Sequence, residues 1–163
     1  MSDAPTQHTT DATEISQLRI WQQNTNKSHE AQLELINNIE NYEIIIIQEP
    51  CIDFLNRTRS TSRWRVLYPS IHFQTGALHT RSVILVNTSV SMGSWTQLEI
   101  PSADVTGMQI ATALGLIRIF NIYNPGDGND ESLAVVKDYV DTHPVDTVYI
   151  RKTHLAEKGY RRI

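Results

Sequence analysis

The chain has 163 residues, 40% hydrophobic and 20% charged, with a formal net charge of -4. That is enough for one domain with a sizeable core. It excludes a strong basic field advertising nucleic acid, but not phosphate binding through a metal and a few local groups. One cysteine, Cys51, rules out an internal disulfide and fits a reducing compartment; it reads as a small buried hydrophobe before it reads as a reactive thiol.

Residues 1–17 are polar, lack an apolar signal core and read as a disordered leader. No apolar run is long enough to span a membrane, so the expected location is intracellular. Leu18-Arg19-Ile20-Trp21-Gln22 alternates as a strand does and runs into the polar cluster Gln23-Asn24-Thr25-Asn26. Ser28 suits a helix N-cap, with Glu30 in the first turn. Ala31, Leu35, Ile36 and Ile39 then sit at helical spacing before Asn37, Asn38 and Asn41 mark the exit. Next comes Glu43-Ile44-Ile45-Ile46-Ile47-Gln48-Glu49-Pro50. Side chains alternate along a strand, so four consecutive isoleucines mean burial on both faces and a central strand. Pro50 stops the strand and biases Glu49 to an extended conformation. The strand–helix–strand unit over residues 18–49 has the length of a right-handed crossover, which makes its strands parallel and brings Asn24 and Glu49 to one edge. A carboxylate there needs a partner or a metal unless it faces water, and both readings of Glu49 stand on these residues alone.

Residues 51–61 read as a loop. Its Arg57 and Arg59 suit phosphates, although solvated charge is the commoner reading. Strands follow over residues 64–68, 82–87, 95–100, 104–111 and 115–123, with short polar or glycine-containing gaps that fit antiparallel hairpins. A turn-rich segment, Asn124-Pro125-Gly126-Asp127-Gly128-Asn129-Asp130, leads to a helix with Leu133, Val136, Tyr139 and Val140 at helical spacing, capped by Asp130 or Ser132. His143-Pro144 ends it, residues 145–150 start one more strand, and the basic residues 151–163 do not read as a core element.

With Asn24, Glu49 and Tyr123 each at a strand exit, the chain resembles the endonuclease/exonuclease/phosphatase (deoxyribonuclease I-like) superfamily. More narrowly, it resembles the apurinic-type endonuclease domain of a fungal non-LTR (LINE-like) retrotransposon, C-terminally truncated. The strand ending in Gln22-Gln23-Asn24 is similar to the first motif, and Gln48-Glu49-Pro50 to the second. Residues 81–87 and 104–110 are similar to the middle strands, and Asn121-Ile122-Tyr123-Asn124-Pro125 to the tyrosine motif. The resemblance covers roughly residues 18–139. It implies an α/β (α+β) fold, a partial four-layer αββα sandwich of mixed sheets, with residues 18–150 as the N-terminal part of the domain and 151–163 outside the pattern. It also implies divalent-metal-dependent phosphodiester hydrolysis of DNA: Glu49 binds Mg2+ or Mn2+, Asn24 coordinates or hydrogen-bonds there, and Tyr123 donates to the phosphate. The Gln-x-Asn and Gln-Glu-Pro forms favour this branch over lipid or inositol phosphate phosphodiesterases. No membrane and no small-molecule cofactor are expected, and the location becomes nucleus or cytoplasm.

The departure lies near the end. The family places Gly-Asp-Phe-Asn after the next strand, then a further aspartate and a histidine. Here Val145-Asp146-Thr147-Val148-Tyr149-Ile150 is followed by Arg151-Lys152-Thr153-His154, and the chain stops. Asp127, Asp130, Asp141, His143 and His154 match no family context and receive no catalytic role. The expectation is an impaired endonuclease, or alternatively a non-catalytic remnant that binds nucleic acid weakly. The missing half-domain and a downstream reverse transcriptase would belong to the full element.

Overall fold

The structure is a computed structural model that describes residues 17–75, 80–126, 130–145, 147–153 and 159–162. Most of the expected leader, Asp127 and His154 lie outside the described residues. In chain order the elements are β1 Arg19–Asn24, α1 His29–Asn38, β2 Ile44–Gln48, β3 Trp64–Leu67, α2 His72–Thr75, β4 Ser82–Asn87, β5 Trp95–Leu98, β6 Val105–Thr112, β7 Gly115–Tyr123, α3 Glu131–Thr142, β8 Thr147–Thr153 and β9 Gly159–Arg162.

The isoleucine run is central, as its two-faced apolarity requires. One sheet has the order β3-β4-β2-β1-β9 and the other β5-β6-β7-β8. β1 pairs with β2 in parallel, and β4 flanks β2 antiparallel. Alternation then divides the run. Ile44 and Ile46 enter the core between the sheets with Ile20, Ile84, Met108, Ile110 and Ile119. Ile45 and Ile47 point the other way, onto Leu35 and Ile36 of α1. The second sheet repeats the arrangement: Phe120 and Ile122 pack outward against Val136 of α3. Helix, sheet, sheet and helix are therefore stacked in four layers around three apolar interfaces.

Local signals hold at α1. Ser28 Oγ accepts from Ala31 N at 3.1 Å, and the asparagine-rich end terminates the helix at Asn38. Asp130 occupies the N-cap position of α3 without a side-chain capping bond; its carboxylate accepts from Asn124 Nδ2 at 2.8 Å. Cys51 is half-buried rather than a core residue, at the start of a loop where its backbone N–H donates to Gln32 Oε1 at 2.9 Å. The basic segment also differs from its composition. β8 continues through Thr153 in parallel with β7, and β9 pairs antiparallel with β1. Strand partners offer unmet ladder hydrogen bonds that outweigh weak β propensity. Among the described residues, no helix is long and apolar enough to cross a membrane.

Candidate active site

Register gathers the candidate residues. Asn24 pairs with Gln48, so the carboxyl ends of β1 and β2 face one edge. β4 runs the other way, and its first residue, Ser82, also pairs with Gln48, which places Arg81 at that edge. In the second sheet Val105 pairs with Ile122, so β6 begins where β7 ends. The two edges are joined through the interior. Asn121 Nδ2 donates to Ile47 O at 2.8 Å and to Val83 O at 2.9 Å. Asn24, Glu49 and Tyr123 thus meet at one rim, and Arg81 and Asp104 join them.

Glu49 is not extended. Its φ is +48°, a left-handed conformation that costs a non-glycine residue roughly 1–2 kcal/mol. Three hydrogen bonds offset the strain. Glu49 N donates to Arg81 O at 2.9 Å, Glu49 O accepts from Lys27 N at 2.8 Å, and it accepts from Thr25 Oγ1 at 2.8 Å. The preference that Pro50 imposes is overridden by these tertiary partners. The consequence is directional. Along β2, Gln48 faces between the sheets, so an extended Glu49 would face α1. The left-handed turn re-aims it to the rim, toward the Tyr123 phenol.

Interaction with the Glu49 carboxylate, aided by burial, raises the Tyr123 pKa above its ordinary value, with Arg81 acting in opposition. Tyr123 is consequently a protonated donor at neutral pH. The unfolded chain releases the phenol proton first, so this pair stabilises the fold below about pH 10 and its contribution is lost as pH rises through the folded pKa. Glu49→Gln is expected to lower the Tyr123 pKa and flatten the alkaline side of the stability curve. Ultraviolet titration of tyrosinate, with Tyr123→Phe to isolate the signal among six tyrosines, checks it; an unchanged titration would refute the contact.

Arg81 and Asp104 escaped the sequence reading as site residues. Arg81 donates through Nε and Nη2 to the two oxygens of Asp104, each at 2.7 Å. This bidentate pairing raises the Arg81 pKa. The guanidinium also lies 4.7 Å from the centroid of the Tyr123 ring. The only linear signal is a charged residue immediately before each of two apolar strands, and their encounter depends on register.

Asn24 Oδ1 accepts from Asn26 N at 2.8 Å, an Asx turn that leaves its second acceptor direction open. Among the described residues, no three His, Cys, Asp or Glu side chains gather into a metal cage. Magnesium and manganese do not need one, because they keep several waters and take one or two carboxylates plus substrate phosphate. The Glu49 carboxylate and the Asn24 amide oxygen fit that donor set.

Asp141 and His143 do not reach the rim. Asp141 pairs with Lys137 at 2.5 Å. His143 stacks on Tyr139 with ring centroids 4.4 Å apart, and its carbonyl accepts from Arg118 Nη1, toward the other end of β7. A groove of about 780 Å3 lies there, between α3 and the outer face of the second sheet; it shares no lining residue with the rim and mixes Arg118 with Glu99 and Asp138.

No protein-family model matches the chain, and no curated protein does. Among solved structures, the endonuclease domain of TRAS1, a telomere-specific non-LTR retrotransposon, is similar with a TM-score of 0.59 and 17% sequence identity, over 83% of this chain and 57% of that one. The chain therefore spans little more than half of that neighbour's length. The two mixed sheets, their flanking helices and this likeness give the chain the deoxyribonuclease I-like fold.

Proposed function

We propose that the rim is a phosphodiester site of the retrotransposon-endonuclease type, which binds a divalent cation and a DNA phosphate but hydrolyses DNA poorly. The observation that carries this reading is Glu49 on a strained turn, its N–H bonded to Arg81 O, with the Arg81 guanidinium 4.7 Å from the centroid of the Tyr123 ring. Strain, a buried strand end and a shifted donor coincide where the fold collects ligands. Glu49 and Asn24 would hold magnesium or manganese, which when bound neutralises charge developing on the phosphate. Tyr123, kept protonated, donates to a phosphate oxygen, and Arg81 fixes the orientation of its ring. β8 puts Arg151-Lys152-Thr153 in register with Asn121-Ile122-Tyr123, where Gly-Asp-Phe-Asn would bring a water-activating carboxylate. On this reading residues 18–150 are the endonuclease-derived part and 151–163 depart from it. A non-catalytic remnant that binds nucleic acid is the second reading, favoured by the same replacement.

Magnesium is expected to tighten binding to a labelled DNA duplex about fivefold, through a coupling that Glu49→Ala removes. Fluorescence anisotropy with magnesium or chelator reads it. Plasmid nicking in magnesium is expected to stay at the Glu49→Ala level. Binding that ignores both magnesium and Glu49 would sink the site, whereas nicking that depends on Glu49 would overturn the impairment alone.

A further inference from the structure

The loop after Glu49 carries Phe54, 91% exposed, and Leu55, 60% exposed, with Phe73 of α2 76% exposed. Flexible apolar tips fold down onto a surface, but this one is braced. Asp53 Oδ1 accepts from Leu55 N at 2.8 Å and from Arg57 N at 3.1 Å. Ile52 bridges Thr58. The buried Gln32 of α1 donates to Thr58 Oγ1 at 2.6 Å, and Thr58 N donates to the Tyr68 hydroxyl at 2.9 Å. Asn56 takes the left-handed conformation that closes the turn, with φ +58°.

The tip is also joined to the rim. Asn56 O lies 2.9 Å from Nε2 of the fully buried His72. A carbonyl only accepts, so Nε2 carries a proton, and Nδ1 lies 2.6 Å from Thr80 Oγ1. Thr80 precedes Arg81, whose guanidinium lies over Tyr123. Arg57 and Arg59, both exposed, follow the tip, while its acid, Asp53, is engaged in the turn. The tip thus offers aromatic and aliphatic faces beside two cations, five residues beyond Glu49. That chemistry fits a polyanion with flat apolar faces between its charges. Single-stranded nucleic acid and opened base steps present both, since every base has a stacking face and phenylalanine or leucine wedges between steps.

We infer that residues 53–59 form a nucleic-acid wedge, in which Phe54 and Leu55 stack on or between bases and Arg57 and Arg59 contact the flanking phosphates. The inference rests on the rim being a DNA phosphate site, which the wedge would align with an unstacked step.

The test uses the full chain carrying Glu49→Ala, in chelator, with a short duplex containing 2-aminopurine, whose fluorescence rises on unstacking. Binding should raise the fluorescence. Phe54→Ser/Leu55→Ser should abolish the rise and weaken affinity about tenfold while leaving the thermal melt unchanged. Arg57→Ala/Arg59→Ala should lower the salt slope of binding by about 2. Unchanged affinity and fluorescence in the serine variant overturns the wedge. So does a serine variant that binds DNA normally but loses binding to phosphatidylserine vesicles or loses self-association in sedimentation, which would assign the tip to a membrane or a second copy. Because these measurements exclude metal, the wedge can fail while the magnesium coupling through Glu49 survives; failure of that coupling removes the rim reading instead.

Discussion

Asn121→Leu is expected to destabilise the fold by about 3–5 kcal/mol, because three buried groups lose a partner together. Asn121 is fully buried. Its amide nitrogen donates to Ile47 O and Val83 O on adjacent strands of the opposite sheet, and its oxygen accepts from Gln48 Nε2 at 2.7 Å. Gln48 Oε1 in turn accepts from Gln22 Nε2 at 3.1 Å. Ser82 Oγ donates to Asn121 O at 2.9 Å, and Thr106 Oγ1 donates to Ser82 O at 2.9 Å. Leucine keeps the branched shape and is bulkier than asparagine, so no cavity opens, and overpacking adds to the cost of the orphaned polar groups. Urea unfolding should show a lower midpoint at unchanged slope. A loss under about 1 kcal/mol would mean that water or relaxation satisfies these groups and the network does not hold the sheets together. The network has a functional position as well. Gln48 precedes Glu49, and Asn121 lies two residues before Tyr123, so the bonds joining the sheets also set the spacing of carboxylate and phenol.

The difference between what residues reveal and what they conceal follows the range of each interaction. Ile44–Ile47 disclosed a central strand because alternation is local. The parallel pairing of β1 and β2 followed from the length of one crossover, and the hairpins of β5, β6 and β7 from short gaps. Ser28 capped α1 as its side chain predicts. Glu49 concealed its conformation because Pro50 acts on its neighbour, whereas Thr25, Lys27 and Arg81 act from segments distant in sequence. Asn121 looked like an interruption in an apolar strand; only the opposing sheet makes it a junction. Arg81 and Asp104 are 23 residues apart, and each alone is an ordinary charge beside a strand. Residues 151–153 and 159–162 are basic enough to suggest a tail, yet β7 and β1 supply ladders to complete. Sequence periodicity therefore located the rim, while non-local register selected the side chains that fill it.

Arg81→Met is expected to weaken DNA binding about tenfold to hundredfold, the range of a lost charge-assisted contact. The guanidinium is one plane with two tasks: it grips both oxygens of Asp104 and covers Tyr123. Lysine supplies the charge without the plane, so Arg81→Lys should recover little of the loss. Asp104 is a positioning residue whose carboxylate holds Arg81, while its carbonyl accepts from Tyr123 N at 2.9 Å. Asp104→Ala should therefore weaken binding comparably, and the double variant should be no worse than Arg81→Met, a non-additive cycle. Tyr123 distinguishes this role from a merely structural one. Arg81 opposes the upward shift of the phenol, so Arg81→Met should raise the Tyr123 pKa further, opposite in sign to Glu49→Gln. Additive losses with an unmoved tyrosine titration would show that Arg81 and Asp104 pair for stability and take no part at the rim. Coupled losses with opposed shifts would place the phenol between a carboxylate that keeps it protonated and a cation that orients it, the arrangement a phosphate-binding donor requires.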